Sequence, residues 1–312
     1  MPVNEIEVTI GTVQLNQSLS AGSNFYLLRN TPELLSTLST RKTDKEKQGG
    51  HGTEDSLSFY GPRILRFEGE VHASSQAARI TLEQALKTVL ALRAAQSYDD
   101  EDGYVLVEVT DEDGEAKQIY AKVLEPPVFS LLDDAMPESR RFEFVLYAKD
   151  PILYGQTLED EVGPESFLTT TLTFEDGDLP TVKDGDLPVI QDDTANEMTV
   201  VNDGSYDTPP VIIVEGPTTD PVIMNVTTGR KMAFTAGGGL ELLADETLTI
   251  NVAALSIIKT DSGDNNTDVS GMISTDSEWI FLAPGSNILT LFDETSDDLS
   301  GQITVQFRPA WL

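Results

Sequence analysis

"VVNDGSYDTPPVIIVEGPTTDPVIMNVTTGRKM", residues 200–232, sets the fold class of this chain. Short runs of apolar β-formers, "PPVIIVEG" and "PVIMNV", are separated by Asn-Asp-Gly, Gly-Pro, Asp-Pro and Thr-Thr-Gly corners. Proline and glycine at that density exclude a helix, and the runs are too short for anything but strands. The pattern continues outward. "MTVVND", "KMAFTA", "LELLA", "ETLTINV", "LSIIKT", "WIFLA", "NILTLF" and "QITVQF" alternate or run apolar between turn signals, which predicts a β-sandwich over 199–312.

The N-terminal part reads differently. "NEIEVTI", "NFYLLR" and "RILRFEGEV" predict strands, and residues 30–56 read as a long exposed loop. One helix is expected at 81–96, with Leu82, Ala85, Leu86 and Val89 as its apolar stripe. Thr81 and Gln84 fit a capping box, and Glu83 with Lys87 an i,i+4 pair. "YVLVEV" and "KQIYAKV" form a hairpin through Gly114, and in "RFEFVLYAKDPILYG" Phe142, Phe144 and Leu146 share a face ended by Asp150-Pro151. The expected organisation is therefore an α+β domain over 1–155, an acidic linker or arm over 156–198, and the sandwich over 199–312. The fold class is mainly β. The arm has 12 acidic residues against Lys183 alone, and holds the duplication "EDGDLPTV" and "KDGDLPVI".

Charge and composition remove several function classes. The formal net charge is -33, yet residues 1–95 balance 10 basic against 10 acidic side chains, so 96–312 carry all of it. Such a surface repels phosphate, which argues against nucleic acid as a partner. It favours a saline habitat over plain solubility. The chain has no cysteine and two histidines, so thiolate metal sites, disulfides and thiol catalysis are out. No apolar run approaches the roughly 20 residues of a membrane span, and the N-terminus lacks signal-peptide character, so no membrane insertion is expected.

The search for chemistry yields little. Aspartate-rich turns at 99–103, 111–114 and 261–268 invite calcium, and the last, with Asp261, Asp264 and Asp268, is the best candidate. None carries the closing bidentate glutamate, and Asp-Gly is ordinary turn chemistry, so the turn reading is preferred. His51 lies in the glycine-bearing loop, and His72 beside an apolar strand reads as structural. "TAGGGLEL" has no P-loop lysine. Neither a catalytic constellation nor a cofactor site is expected. Trp279 alternates with Phe281 beside the Pro284-Gly285 corner, which predicts Trp279 in the core.

Three stretches in order, "FEFVLYAKDPILYG", the 200–232 run and "WIFLAPGSNILTL" with the terminal "FRPAWL", resemble the distal tail proteins of long, non-contractile-tailed bacteriophages and related archaeal viruses. The acidic duplication departs from that pattern. The resemblance implies a homo-hexameric ring at the virion tail tip, assembled in the host cytoplasm. Its N-terminal domains form a tail-tube-like belt, and a galectin-like sandwich projects from each. The implied partners are the tail-tube protein, the tail-tip hub protein, the tape measure protein, and receptor-binding or fibre proteins. The basic cluster Arg41, Lys42, Lys45 and Lys47, with His51, would be the interface toward the adjoining tube ring. A carbohydrate-binding module acting in adhesion is the alternative, and a hydrolase is a distant third.

Overall fold

Alternation decides which face of each N-terminal strand is buried. In β8 (Arg63–His72), Leu65, Phe67 and Val71 point inward with full burial. The antiparallel β11 (Ser139–Ala148) sets Phe142, Phe144 and Leu146 on the same side. Phe144 stacks on Phe67 at 4.7 Å and on Phe142 at 5.9 Å. The structure, a computed structural model, describes residues 6–16, 24–29, 38, 40–42, 45–46, 53–54, 59–91, 103–110, 114–131, 137–162, 197–293 and 301–312. It divides into two compact units, Met1–Gln156 with Trp311–Leu312, and Thr157–Ala310.

The first unit is built on one sheet. Its remaining strands are β1 (Glu7–Ile10), β2 (Val13–Leu15), β3 (Phe25–Leu28), β9 (Val105–Thr110), β10 (Ala116–Leu131) and β12 (Leu153–Gly155). The hydrogen-bonded order is β2-β1-β9-β10-β11-β8-β3. The expected hairpin of β9 and β10 is present, with Gly114 at φ +82. Asp150 ends β11 as its proline neighbour suggests, accepting from the Ile152 N–H at 3.1 Å and the Tyr154 hydroxyl at 2.9 Å.

Two expectations for this unit need correction. Helix α1 runs Gln76–Val89, five residues earlier than the periodicity indicated, and its N-cap is Ser75, which accepts from the Ala78 N–H. Thr81 is inside the helix and donates to the Ala77 carbonyl instead of capping. Glu83 pairs with Arg79, Lys87 lies over the Phe129 ring at 4.9 Å, and Ala85 is exposed. The buried stripe is Arg79, Leu86 and Leu90, with Leu82 and Val89 partly covered. The polar segment is likewise no simple loop. Here β4 (Thr40–Arg41) pairs β7 (Phe59–Tyr60), and β5 (Lys45–Glu46) pairs β6 (Thr53–Glu54), two separate antiparallel pairs.

The second unit is a sandwich. One sheet has the order β13-β24-β15-β20-β21-β22, from β13 (Glu159–Val162), β15 (Val211–Glu215), β20 (Thr247–Asn251), β21 (Ser256–Thr260), β22 (Asn266–Asp268) and β24 (Gln302–Phe307). The other has the order β14-β23-β17-β18, from β14 (Glu197–Asn202), β17 (Pro221–Asn225), β18 (Arg230–Ala233) and β23 (Gly285–Asp293). A small pair joins β16 (Thr218–Thr219) to β19 (Glu241–Leu242). Ile212, Val214, Leu248, Ile250 and Val305 from the larger sheet form one core with Val200, Ile223, Met232 and Leu289 from the smaller. All are essentially sealed from solvent.

Strand pairing also redraws the expected arm and the chain end. Glu159–Val162 adds an edge strand to the larger sheet, Glu159 opposite Phe307, so the start of the acidic arm belongs to the sandwich. The duplication lies outside the described residues. The terminal "FRPAWL" does not close the sandwich alone. Strand β25 (Ala310–Trp311) pairs with β12, and Trp311 packs on the first unit's core with the Lys117 ammonium 5.0 Å from its ring.

Candidate functional site

The corner singled out at Trp279 is organised by asparagines. Residues 279–283 form no ladder; Leu282 alone makes a bridge, to Thr208. Ile280 and Leu282 enter the core, and Trp279 and Phe281 are only partly buried on its rim, the opposite phase to that expected. Pro284 and Gly285 are exposed, with Gly285 at φ +85 starting β23. Asn287 is fully buried and closes the corner: it accepts from the Ala283 N–H at 2.9 Å and donates to the Ala283 and Gly285 carbonyls. Buried Asn225 donates to Asn287 and to the Phe281 carbonyl, and buried Asn202 to the Tyr206 and Leu282 carbonyls. The sequence reading missed these three, although asparagine inside a strand is itself a signal, being depleted there.

The other predicted positions do not converge. Arg41 at the end of β4 and Lys42 after it are exposed, the backbone of Lys45 lies in β5, and Lys47 and His51 fall outside the described residues. Asp261 spends its carboxylate on its own loop, accepting from the N–H groups of Gly263 and Asn265 and from the Asn265 amide. Asp268 caps Ser270, and Asp264 holds a left-handed turn at φ +60. Among the described residues no group of three or more such side chains is placed to hold a metal ion. The 99–103 and 111–114 turns lie almost wholly outside those residues. His72 is held on both ring nitrogens, by Ser139 at 3.0 Å and Glu70 at 3.1 Å, which fits the structural reading.

A cavity of about 500 Å³ opens beside Leu243, Glu246, Lys259 and Met272. Its ammonium is already engaged: Lys259 reaches Glu246 at 2.7 Å and donates to the Glu241 carbonyl at 2.8 Å. The glycine run beside it is conformational, with Gly237, Gly238 and Gly239 all at positive φ.

These carboxylates make a pH prediction. A backbone N–H from Leu243 and the Lys259 ammonium hold the Glu246 carboxyl below its usual 4.5. Asn265 holds Asp261, Ser270 holds Asp268 and Lys231 holds Asp276 below the usual 3.8. A depressed folded pKa gives stability that is complete above the unfolded value and lost as pH falls through the folded one. The sandwich should therefore weaken progressively below about pH 4.5. Trp279 fluorescence in a Trp311→Phe background reads this unit alone, and Asp261→Asn should flatten the acid limb. An unchanged limb in that variant refutes the assignment.

Two β-rich units therefore make up the described residues. Residues 203–311 match the family described as siphovirus-type tail component, C-terminal domain. Apart from Trp311 that stretch falls within the second unit, and the resemblance read from the sequence is borne out. Across its length the chain shares the fold of the Dit protein of phage SPP1, described as a paradigm of the hub adsorption apparatus in phages infecting Gram-positive bacteria. That alignment has a TM-score of 0.59 and 14% identity, covering 98% of this chain and 99% of the other. Chains of the phage P2 baseplate, in activated conformations with Ca or with Sr, align at 10% identity over 96% of this chain and 97% of theirs, with TM-scores of 0.44 and 0.42. No curated protein matches the sequence.

Proposed function

We propose that this chain forms a homo-hexameric ring at the distal end of a long non-contractile tail, joining the tail tube to the tail-tip hub. The observation that carries the reading is the full-length likeness in fold to a phage hub protein, together with the tail-component match over 203–311. The first unit makes the belt, and the second, read as galectin-like, faces outward to dock receptor-binding or fibre proteins. The ring encircles the end of the tape measure protein. It is a virion part, assembled in the host cytoplasm.

Charge distribution supports this division of labour. Residues 1–95 are net neutral, whereas 96–312 carry the full -33. Copies packed through the neutral part avoid the repulsion that the remainder would impose. The short paired strands between Thr40 and Tyr60 include Arg41 and Lys45, and Lys42 and Lys47 belong to the same basic cluster of the sequence. In this reading it meets an acidic surface on the adjoining tube ring.

Negative-stain microscopy of the purified full chain tests the proposal. Six-fold rings with a central hole are expected. A field of monomers at micromolar concentration, confirmed by light scattering, refutes it.

A further inference from the structure

Glu246 is 8% exposed, yet only one of its two carboxylate oxygens is in use. Its Oε2 accepts from the Leu243 N–H at 2.8 Å and meets the Lys259 ammonium at 2.7 Å. Its Oε1 bonds to no described residue, although an ionised carboxylate has room for about four hydrogen bonds. Glu246 lines the cavity of about 500 Å³, so the spare oxygen is offered there. A buried acceptor left open is a place for a donor.

The other walls say which donor. Glu241, Glu246 and Asp261 line the cavity with Lys259 alone, three carboxylates against one ammonium and so an excess of two negative charges. That ammonium is held by Glu246 and the Glu241 carbonyl, so an anion finds no free cation here. No described residue pairs with the Glu241 carboxylate. Leu243, Val269 and Met272 add apolar surface, and Leu243 is 58% exposed. A metal ion wants oxygen ligands on every side, and among the described residues no group of three or more ligating side chains is placed to supply them. An aliphatic stem ending in a cation fits both parts, the stem on the apolar wall and the charge among the carboxylates. With one Glu246 oxygen open, a single ammonium suits it better than the two-pronged guanidinium fork.

We infer that this cavity binds a primary ammonium on an aliphatic stem, presented as a lysine side chain by a protein docked on the second unit. That the lysine belongs to such a protein rests on the docking role proposed above; the ammonium chemistry does not. Charge selects a partner protein over a second copy. Residues 157–310 hold 28 acidic against 5 basic side chains, a net of -23, so two such units repel each other and draw a basic partner.

The test uses the full chain with isotope-labelled methionine methyl groups. Of the six methionines only Met272 lines the cavity, and Met272→Leu assigns its signal. The peptide acetyl-Gly-Lys-Gly amide should shift that methyl saturably, with a Kd on the order of millimolar. The norleucine peptide has the stem without the ammonium, and should bind roughly tenfold or more weakly. Glu246→Gln should weaken binding of the lysine peptide by a similar factor. Glu241→Gln loses no partner within the chain, so it should fold as the parent does and bind the lysine peptide several-fold more weakly. Equal binding of the two peptides, undiminished binding by both variants, or no saturable shift at all overturns the ammonium site. A Met272 shift with cadaverine and none with the lysine peptide overturns the docked protein as the source. None of these results bears on the ring, which microscopy of the full chain reads separately.

Discussion

Replacing Asn287 by alanine is expected to cost roughly 3–5 kcal/mol, although the residue touches no ligand and removes no apolar contact. The side chain is fully buried and makes four hydrogen bonds. Alanine strands the Ala283 N–H and carbonyl and one donor of Asn225, itself sealed from solvent. Each buried group left without a partner costs about 1–3 kcal/mol. The Gly285 carbonyl sits on an exposed corner and can find water, so it adds little. Asn287→Asp keeps the acceptor but loses both donors and buries a charge, so it should fall at least as far at neutral pH. Urea unfolding followed by Trp279 fluorescence, in the Trp311→Phe background, gives both numbers. If Asn287→Ala unfolds within 1 kcal/mol or so of its parent, the corner is held by strand β23 and not by the asparagine.

The same corner shows where sequence reading stops. Every residue of "WIFL" is apolar, so alternation cannot say which two face inward. Phase is set by the bridge of Leu282 to Thr208 and by Asn225 taking the Phe281 carbonyl, contacts from far along the chain. A one-residue difference in phase exchanges the two faces, which is how Trp279 came to be expected inside. By contrast, "RFEF" at 141–144 alternates polar and apolar residues, so the phase that buries Phe142 and Phe144 was legible. Helix α1 was recognisable from Leu82 onward, but its first turns hold Arg79 on the buried side, paired with Glu83, and a buried arginine hides the stripe. Strands of two residues, such as β4 to β7, have no period to read. They exist because each lies opposite the other.

Least legible was the return of the chain end to the first unit, and it carries the second large effect. Trp311→Ala is expected to weaken the first unit by about 3 kcal/mol while leaving the sandwich core unaffected. A fully buried tryptophan cut to alanine costs about 3–5 kcal/mol, and partial exposure lowers that share to about 2. The ring also faces Lys117, which is 8% exposed and pairs with Glu115 at 3.0 Å. A cation over an aromatic face in such a setting adds about 1 kcal/mol. Since each 1.4 kcal/mol is a factor of ten, exchange protection of amides in β9, β10 and β12 should fall by roughly 100-fold. Amides of β20 and β21, deep in the sandwich, should keep theirs. Trp311→Phe retains a ring for both the core and the ammonium, so it should lose far less, which is what makes it usable as a background for reading Trp279. A uniform loss across both units would mean that the chain end serves the whole molecule, and no loss at all would mean that β25 is not seated on β12.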